Sequence, residues 1–398
     1  MDAKLSRTKK YLFTVLMLLL TFLLCFSVLE FGFARFYYSN ISGIEDKEFD
    51  PLLGWHYRPG SYWIKPPQSL RKHSVYINKF RIRNKDIKPN SKTENRPKRI
   101  IVLGDSFSFG KTVPLKDIFP TRLEKNLNQI FPDRYEVINA GVEGYGTAQQ
   151  LLFLKKLAHE NIIGDIYLLV VFTNDITENL RVVNYIDGTF SLFPSLPGYI
   201  LNENGTIELK YPAQKIDIPF KKERRLFQIT DVLTLNIESF LQTKPVLVSY
   251  LNKYFNLKFP QMPGFINAWY NEEMQKPGIP LMKRLIKEIQ NEANRHNSKL
   301  YVCFIPSVVM VYAETYGPIL KKTFPQNPHV QAWLKDGQKP SRIMRQICSE
   351  LALPFLDFYP ILKKNNDKAL YVPREAHLNK TGHKLVAPFL SQFIADQE

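Results

Sequence analysis

Residues 100–110 read IIVLGDSFSFG, and the fold class follows from how that stretch sits among its neighbours. Arg99–Gly104 (RIIVLG) is a short, β-branched apolar run closed by a turn, which reads as a buried strand. Downstream, Phe119, Leu123, Leu127 and Phe131 recur every four residues, the apolar stripe of an amphipathic helix. Tyr135–Ala140 then reads as a strand, Thr147–Glu160 as a helix and Ile166–Phe172 as a further strand. After an interruption the alternation resumes: helix Leu281–Arg295, strand Lys299–Ile305, helix Arg342–Leu351, short strand Pro354–Phe358 and a last helix over Thr381–Ala395. Strands separated by helix-length crossovers pair in parallel, so the expectation is a three-layer α/β domain on a parallel sheet of about five strands. The stretch from about 176 to 280 is longer than a crossover requires. It is expected to be an insertion or cap, with a hairpin at Asn202-Glu203-Asn204-Gly205.

The chemistry-bearing residues fall at the ends of these elements. Gly104-Asp105-Ser106 follows the first strand, and in an open parallel sheet ligands bind beyond the carboxyl ends of strands. A serine hydroxyl needs a base to become a nucleophile, so Ser106 alone signifies little. Three further blocks lie at the same edge: NAGVEGYGTAQQ (Asn139–Gln150), VVFTNDITEN with Asn174, and REAHLNKTGHKLVA with His377 just before the last helix. The glycines at 141, 144 and 146 let the backbone bend sharply and bring N–H groups close to a ligand. No metal-ligand spacing and no internal repeat is present in the sequence, and no cofactor is called for.

In this order, the four blocks resemble the SGNH (GDSL) hydrolase family over roughly residues 95–180 and 350–395. The resemblance extends more loosely to Leu53-Gly54-Trp55 and Pro59-Gly60, which are similar to the segment preceding the domain in membrane-associated bacterial relatives. It implies a flavodoxin-like SGNH fold with Ser106 as nucleophile and His377 as general base. It also implies an oxyanion hole formed by the N–H of Ser106, the N–H of Gly144 and the side-chain amide of Asn174. Asp105 is a signature residue expected to support the turn. Relatives usually carry an aspartate two or three residues before the histidine, where this chain has Glu375 and Arg374. Glu375 is therefore the favoured third member of the triad, with Asp357 as the alternative acid. His383 is expected to be structural or exposed. The implied activity is acyl-ester hydrolysis or O-acyl transfer through an acyl-enzyme on Ser106. Similarity to alginate-type O-acetyltransferases points to an O-acetylated cell-envelope glycan, with a membrane acyl-donor partner in the transferase case. A lipid esterase or thioesterase, or a non-catalytic glycan-binding protein on a hydrolase fold, are the alternatives.

The N-terminus adds a location. Residues 1–10 carry Lys4, Arg7, Lys9 and Lys10, and Tyr11–Phe33 is an apolar run with Glu30 as its single acid. At 1.5 Å per residue that run reaches about 34 Å, enough to cross a hydrocarbon core. The expected layout is a cytoplasmic 1–10, a single-pass anchor at 11–33, a basic approach segment at 34–98 and an extracytoplasmic hydrolase-like domain at 99–398. A cleaved signal peptide is the rival reading. The net charge is +17, and residues 71–99 hold eleven Lys/Arg against Asp86 and Glu94. Export argues against nucleic acid as the partner, leaving anionic glycans, lipid head groups or a solvated face. Trp269, Tyr270, Phe190, Phe193 and Tyr199 are candidates for stacking on sugar rings, or else for packing the insertion. Asn40, Asn204 and Asn379 begin glycosylation sequons, relevant only in a glycosylating host. Cys25 lies in the apolar run, and Cys303 and Cys348 form no disulfide framework, with one bridge between them left open.

Overall fold

The computed structural model describes residues 7–32, 47–64, 73–90, 96–186, 197–211, 237, 240–255, 264–372 and 376–398. An N-terminal helix, Arg7–Gly32, contains an apolar stretch, Lys9–Phe31, long enough to cross a membrane, and its apolar side chains are almost all exposed.

The central sheet has five parallel strands: β5 (Lys98–Gly104), β6 (Tyr135–Gly141), β7 (Ile166–Phe172), β10 (Lys299–Ile305) and β11 (Phe355–Asp357). Their spatial order is β11-β10-β7-β5-β6. The chain leaves β5 toward β6 on one side and then crosses back to β7 on the other. Crossovers therefore diverge from the end of β5, where an open sheet forms its binding crevice. Alternation along the strands fills both faces. Ile100, Val102, Leu168 and Val170 pack with Leu123 and Leu127 of helix Phe119–Ile130 and Leu390 of helix Lys380–Ala395. Ile101, Leu103, Leu169 and Val171 pack on the opposite side with helices Thr147–His159, Glu272–Arg295 and Lys339–Glu350. The result is the three-layer α/β architecture that the sequence predicts.

Two regions depart from expectation and a third matches it. The approach segment contains two antiparallel hairpins, β1 (Lys47–Asp50) with β2 (Gly54–Tyr57), and β3 (Gly60–Ile64) with β4 (His73–Ile77). Leu53, Trp55, Tyr57, Val75 and Ile77 belong to the same core as the sheet, so the packed body begins well before residue 99. The helix expected from Leu281 starts at Glu272, because Asn271 caps it and Pro277 and Pro280 are accommodated inside. Within the insertion, β8 (Gly198–Leu201) and β9 (Ile207–Lys210) form the expected hairpin over Asn202–Thr206.

The basic run is also less of a surface than its charge suggests. Arg83 and Arg99 are buried. Arg99 bonds to Glu136, Asn90 and the Lys88 carbonyl, and Arg96 pairs with Asp165 at 2.6 Å. These cations are tied to the domain's own acids and backbone carbonyls. Cys303 and Cys348 are separate buried thiols, and burial raises the Cys348 thiol to about 12.

Candidate active site

Ser106 opens the four-residue helix Ser106–Phe109, which begins directly beyond β5. Asp105 caps it by accepting from the Phe107 N–H at 2.9 Å, the local bond that makes aspartate a helix starter. Burial pushes the Asp105 carboxyl up to about 7, opposed by the Phe107 N–H and the Asn174 side chain. Asp175, fully buried nearby, is raised well above the usual carboxylate range by burial and by the charges of Asp105 and Glu178. The far end of the short helix rests on Arg83, whose guanidinium donates to the carbonyls of Phe109 at 2.7 Å, Gly110 at 2.6 Å and Val113 at 2.7 Å. Gly141, at the end of β6, is a glycine because any Cβ there would lie 2.7 Å from the Phe109 nitrogen. The Ser106 helix thus sits directly on strand backbone.

The loop after β6 turns immediately. Val142 donates to the Gly104 carbonyl at 3.1 Å, and Gly144 takes φ +71, a conformation that suits glycine. On one side of Gly144, Glu143 pairs with Lys111 at 2.9 Å and accepts from the Tyr57 hydroxyl at 2.5 Å. On the other side, the Tyr145 hydroxyl donates to the Trp55 carbonyl. Burial opposes the Glu143 charge, but Lys111, Lys47 and the Tyr57 hydroxyl hold its pKa down to about 2.

Asn174 follows β7 at the same sheet edge, half-buried, at the head of helix Asp175–Ile186. The residue before it is fixed from the insertion: the Trp269 indole donates to the Thr173 carbonyl at 2.6 Å.

His377 comes from the opposite end of the chain. Its Nε2 lies 2.8 Å from the Ser106 hydroxyl. The turn carrying it is tied down by bonds from Val372 N–H to the His377 carbonyl at 2.7 Å and from the Thr112 hydroxyl to the Leu378 carbonyl at 2.8 Å. Asn379 then caps helix Lys380–Ala395 through the N–H groups of Thr381 and Gly382. Ala376 holds φ +55, an uncommon conformation for a residue with a side chain, directly before the histidine. The Phe107 ring packs 5.2 Å from the imidazole and stacks on Phe172 behind it.

The structure therefore brings Ser106 and His377 together, with Gly144 and Asn174 at the ends of the two strands flanking β5. Glu375 lies outside the described residues. Asp357 is engaged elsewhere: it caps helix Phe358–Lys364 through the Tyr359 N–H at 2.9 Å, pairs with Arg345 at 2.8 Å and accepts from the Ser341 hydroxyl. Its strand is three places from β5, about 14 Å at ordinary strand spacing. His383 is buried, stacks on Phe119 and accepts at Nδ1 from the Phe119 N–H at 3.3 Å. Burial, with nearby Arg83 and Arg122, keeps it neutral, near 3, so its role is structural. Trp269, Tyr270 and Tyr199 are core residues and unavailable to stack on a sugar; Phe190 and Phe193 lie outside the described residues. Sequence reading missed Arg83, Glu143 and Trp269 as supports of the site. Glu143 stood inside the glycine-rich block, whereas nothing in the sequence links Trp269 to Thr173.

No protein-family model and no curated protein matches the chain. Solved structures similar to it include a member of the lipolytic G-D-S-L family from Veillonella parvula, 13% identical, with a TM-score of 0.33 over 73% of this chain and 94% of that one. An aryl esterase from M. smegmatis is 12% identical, with a TM-score of 0.35 over 75% and 99%. An acetylxylan esterase from Geobacillus stearothermophilus, solved as a catalytic mutant, is 12% identical, with a TM-score of 0.35 over 75% and 94%.

Proposed function

We propose that this chain is an SGNH-type serine enzyme that cleaves or transfers an acyl group through an acyl-enzyme on Ser106. The observation that carries the reading is the 2.8 Å contact between the Ser106 hydroxyl and His377 Nε2 at the divergence point of a parallel sheet. A hydroxyl bonded to an imidazole can lose its proton as it attacks. Ser106 Oγ adds to the ester carbonyl and its proton passes to His377 Nε2. The negative oxygen that forms is met by the N–H groups of Ser106 and Gly144 and by the Asn174 amide. The C–O bond to the alcohol then breaks, and the alcohol leaves with the proton from His377. Water or a second hydroxyl attacks the acyl-enzyme by the reverse path. Glu375 orients the imidazole and faces its positive charge.

The N-terminal apolar helix, preceded by lysines and an arginine, supports a single-pass anchor with the catalytic domain outside the cytoplasm. That setting favours an O-acetylated envelope glycan as substrate or acceptor. Comparing envelope glycan acetylation with and without the gene tests substrate and direction together. The oxyanion assignment has its own test. Asn174→Ala lowers kcat on an activated acetyl ester by roughly 10²–10³ at nearly constant KM, because the donor acts on charge present only in the transition state. A higher KM with unchanged kcat makes Asn174 a substrate-binding residue instead.

A further inference from the structure

Gly144 is held in place by its neighbours. A Cβ added there would meet nothing within 4 Å, so that side of the loop is open space and the loop is tied down through the side chains of the two flanking residues. The residues on either side are both gripped by one hairpin, β1–β2. Tyr57 bonds to the Glu143 carboxylate, and the Trp55 carbonyl accepts from Tyr145, with the two rings of that pair edge-on at 5.3 Å. Lys111, just beyond the Ser106 helix, closes on Glu143 from the catalytic side at 2.9 Å. Lys47, in the first strand after the apolar helix, sits over the Trp55 ring at 3.7 Å from its centroid. Glu143 is therefore the meeting point of three pieces: the hairpin, the Ser106 turn and the glycine loop. Tyr57 also stacks on Phe109 of the Ser106 helix at 4.9 Å, so the same hairpin touches both halves of the site.

We propose that Glu143 is a positioning residue that aims the Gly144 N–H, and that hairpin β1–β2 is a built-in part of the active site. The proposal rests on the reading of Gly144 as an oxyanion donor. A preorganised donor contributes only if it stands at hydrogen-bonding distance from the oxygen as charge develops, and an error near 1 Å can cost about a hundredfold. A carboxylate bonded to a phenol and an ammonium fixes the loop more stiffly than loop backbone alone.

The test uses the full-length chain in detergent, with p-nitrophenyl acetate as substrate and phenylboronic acid as inhibitor. The boronic acid forms a tetrahedral adduct on a nucleophilic serine and so reports on the oxyanion donors. Glu143→Gln and Tyr57→Phe are each expected to lower kcat by roughly 10–100-fold with KM within about twofold, and to weaken the inhibitor by a similar factor. The double variant is expected to lose little more than the worse single one, since both act on one device. Tyr57→Phe removes only a hydroxyl, so it remains informative if Glu143→Gln fails to fold. Ser106→Ala separates the two claims. Full activity in Ser106→Ala overturns the catalytic reading itself. If Ser106→Ala is inactive while folded Tyr57→Phe keeps kcat and inhibitor binding within about twofold, the positioning proposal alone is overturned. A rise in KM at constant kcat overturns it too.

Discussion

Arg83 offers a test of how the helix carrying Ser106 is supported. Its guanidinium is fully buried and donates to three backbone carbonyls at 2.6–2.7 Å, all at the end of the Ser106 helix or just after it. Burial lowers its pKa to about 10, with Tyr57 and Glu143 opposing the shift, so it stays charged at neutral pH. Arg83→Met fills much of the volume but removes the guanidinium donor from the Phe109 and Val113 carbonyls, while the Gly110 carbonyl keeps the Val113 N–H at 3.2 Å. Each unmet acceptor costs about 1–3 kcal/mol, partly offset because a buried charge is no longer desolvated. With two acceptors left unmet, the expected net loss is about 2–4 kcal/mol of unfolding free energy. Arg83→Lys, a point charge unable to reach all three oxygens in a planar fork, is expected to fall between the two. The assay is urea unfolding followed by tryptophan fluorescence, paired with kcat on an activated acetyl ester. We expect kcat of folded Arg83→Met to drop at least tenfold, since the helix carrying Ser106 loses its C-terminal support. An Arg83→Met protein within about 1 kcal/mol of wild type would refute the reasoning, because it would mean that water or a backbone shift satisfies those carbonyls without the guanidinium.

Two other outcomes follow. Glu375→Ala should lower kcat/KM by about 10²–10⁴, whereas Asp357→Asn should cost about 1–3 kcal/mol of stability and leave kcat within roughly threefold, since its carboxylate caps a helix and pairs with Arg345; single-turnover acylation beside urea unfolding separates them, and the reverse pattern transfers the triad role to Asp357. The pH dependence of stability should have two limbs. Glu143, held at about 2 against an ordinary 4.5, contributes stability above pH 4.5 that disappears as pH falls toward 2, and Glu143→Gln should flatten that limb. Asp105, raised to about 7 from 3.8, contributes stability that is complete below pH 3.8 and lost as pH rises through 7. Asp105→Asn should therefore gain on wild type as pH rises from 4 to 8, and a constant difference across that range would show that the carboxyl is ionised throughout.

Four strands of the sheet were legible because each is a short, mostly apolar run buried on both faces and bounded by polar turns, whereas β11 is only three residues long and half-buried. Ser106 and His377 were legible together because the order of four blocks restricts the alternatives far more than any one block does. What escaped was long-range. Arg83 looks like one more member of a basic run, and only the approach of three carbonyls to one point makes it internal. Trp269 reaches Thr173 across 96 residues of sequence with no periodic signal connecting them. The hairpins of the approach segment have strands of four or five residues, too short for alternation to stand out. Helix Glu272–Arg295 hid its first turns behind Pro277 and Pro280, which ordinarily mark a boundary.

The central claim is that Ser106, activated by His377, carries the acyl group. Brief exposure of the full-length protein to an activated acetyl ester, acid quenching and peptide mapping by mass spectrometry tests it most directly. A single acetyl group is expected on the peptide containing Ser106, absent in Ser106→Ala and strongly reduced in His377→Ala. Sustained ester turnover by Ser106→Ala, or acetylation that maps to another residue at the wild-type rate, would contradict it.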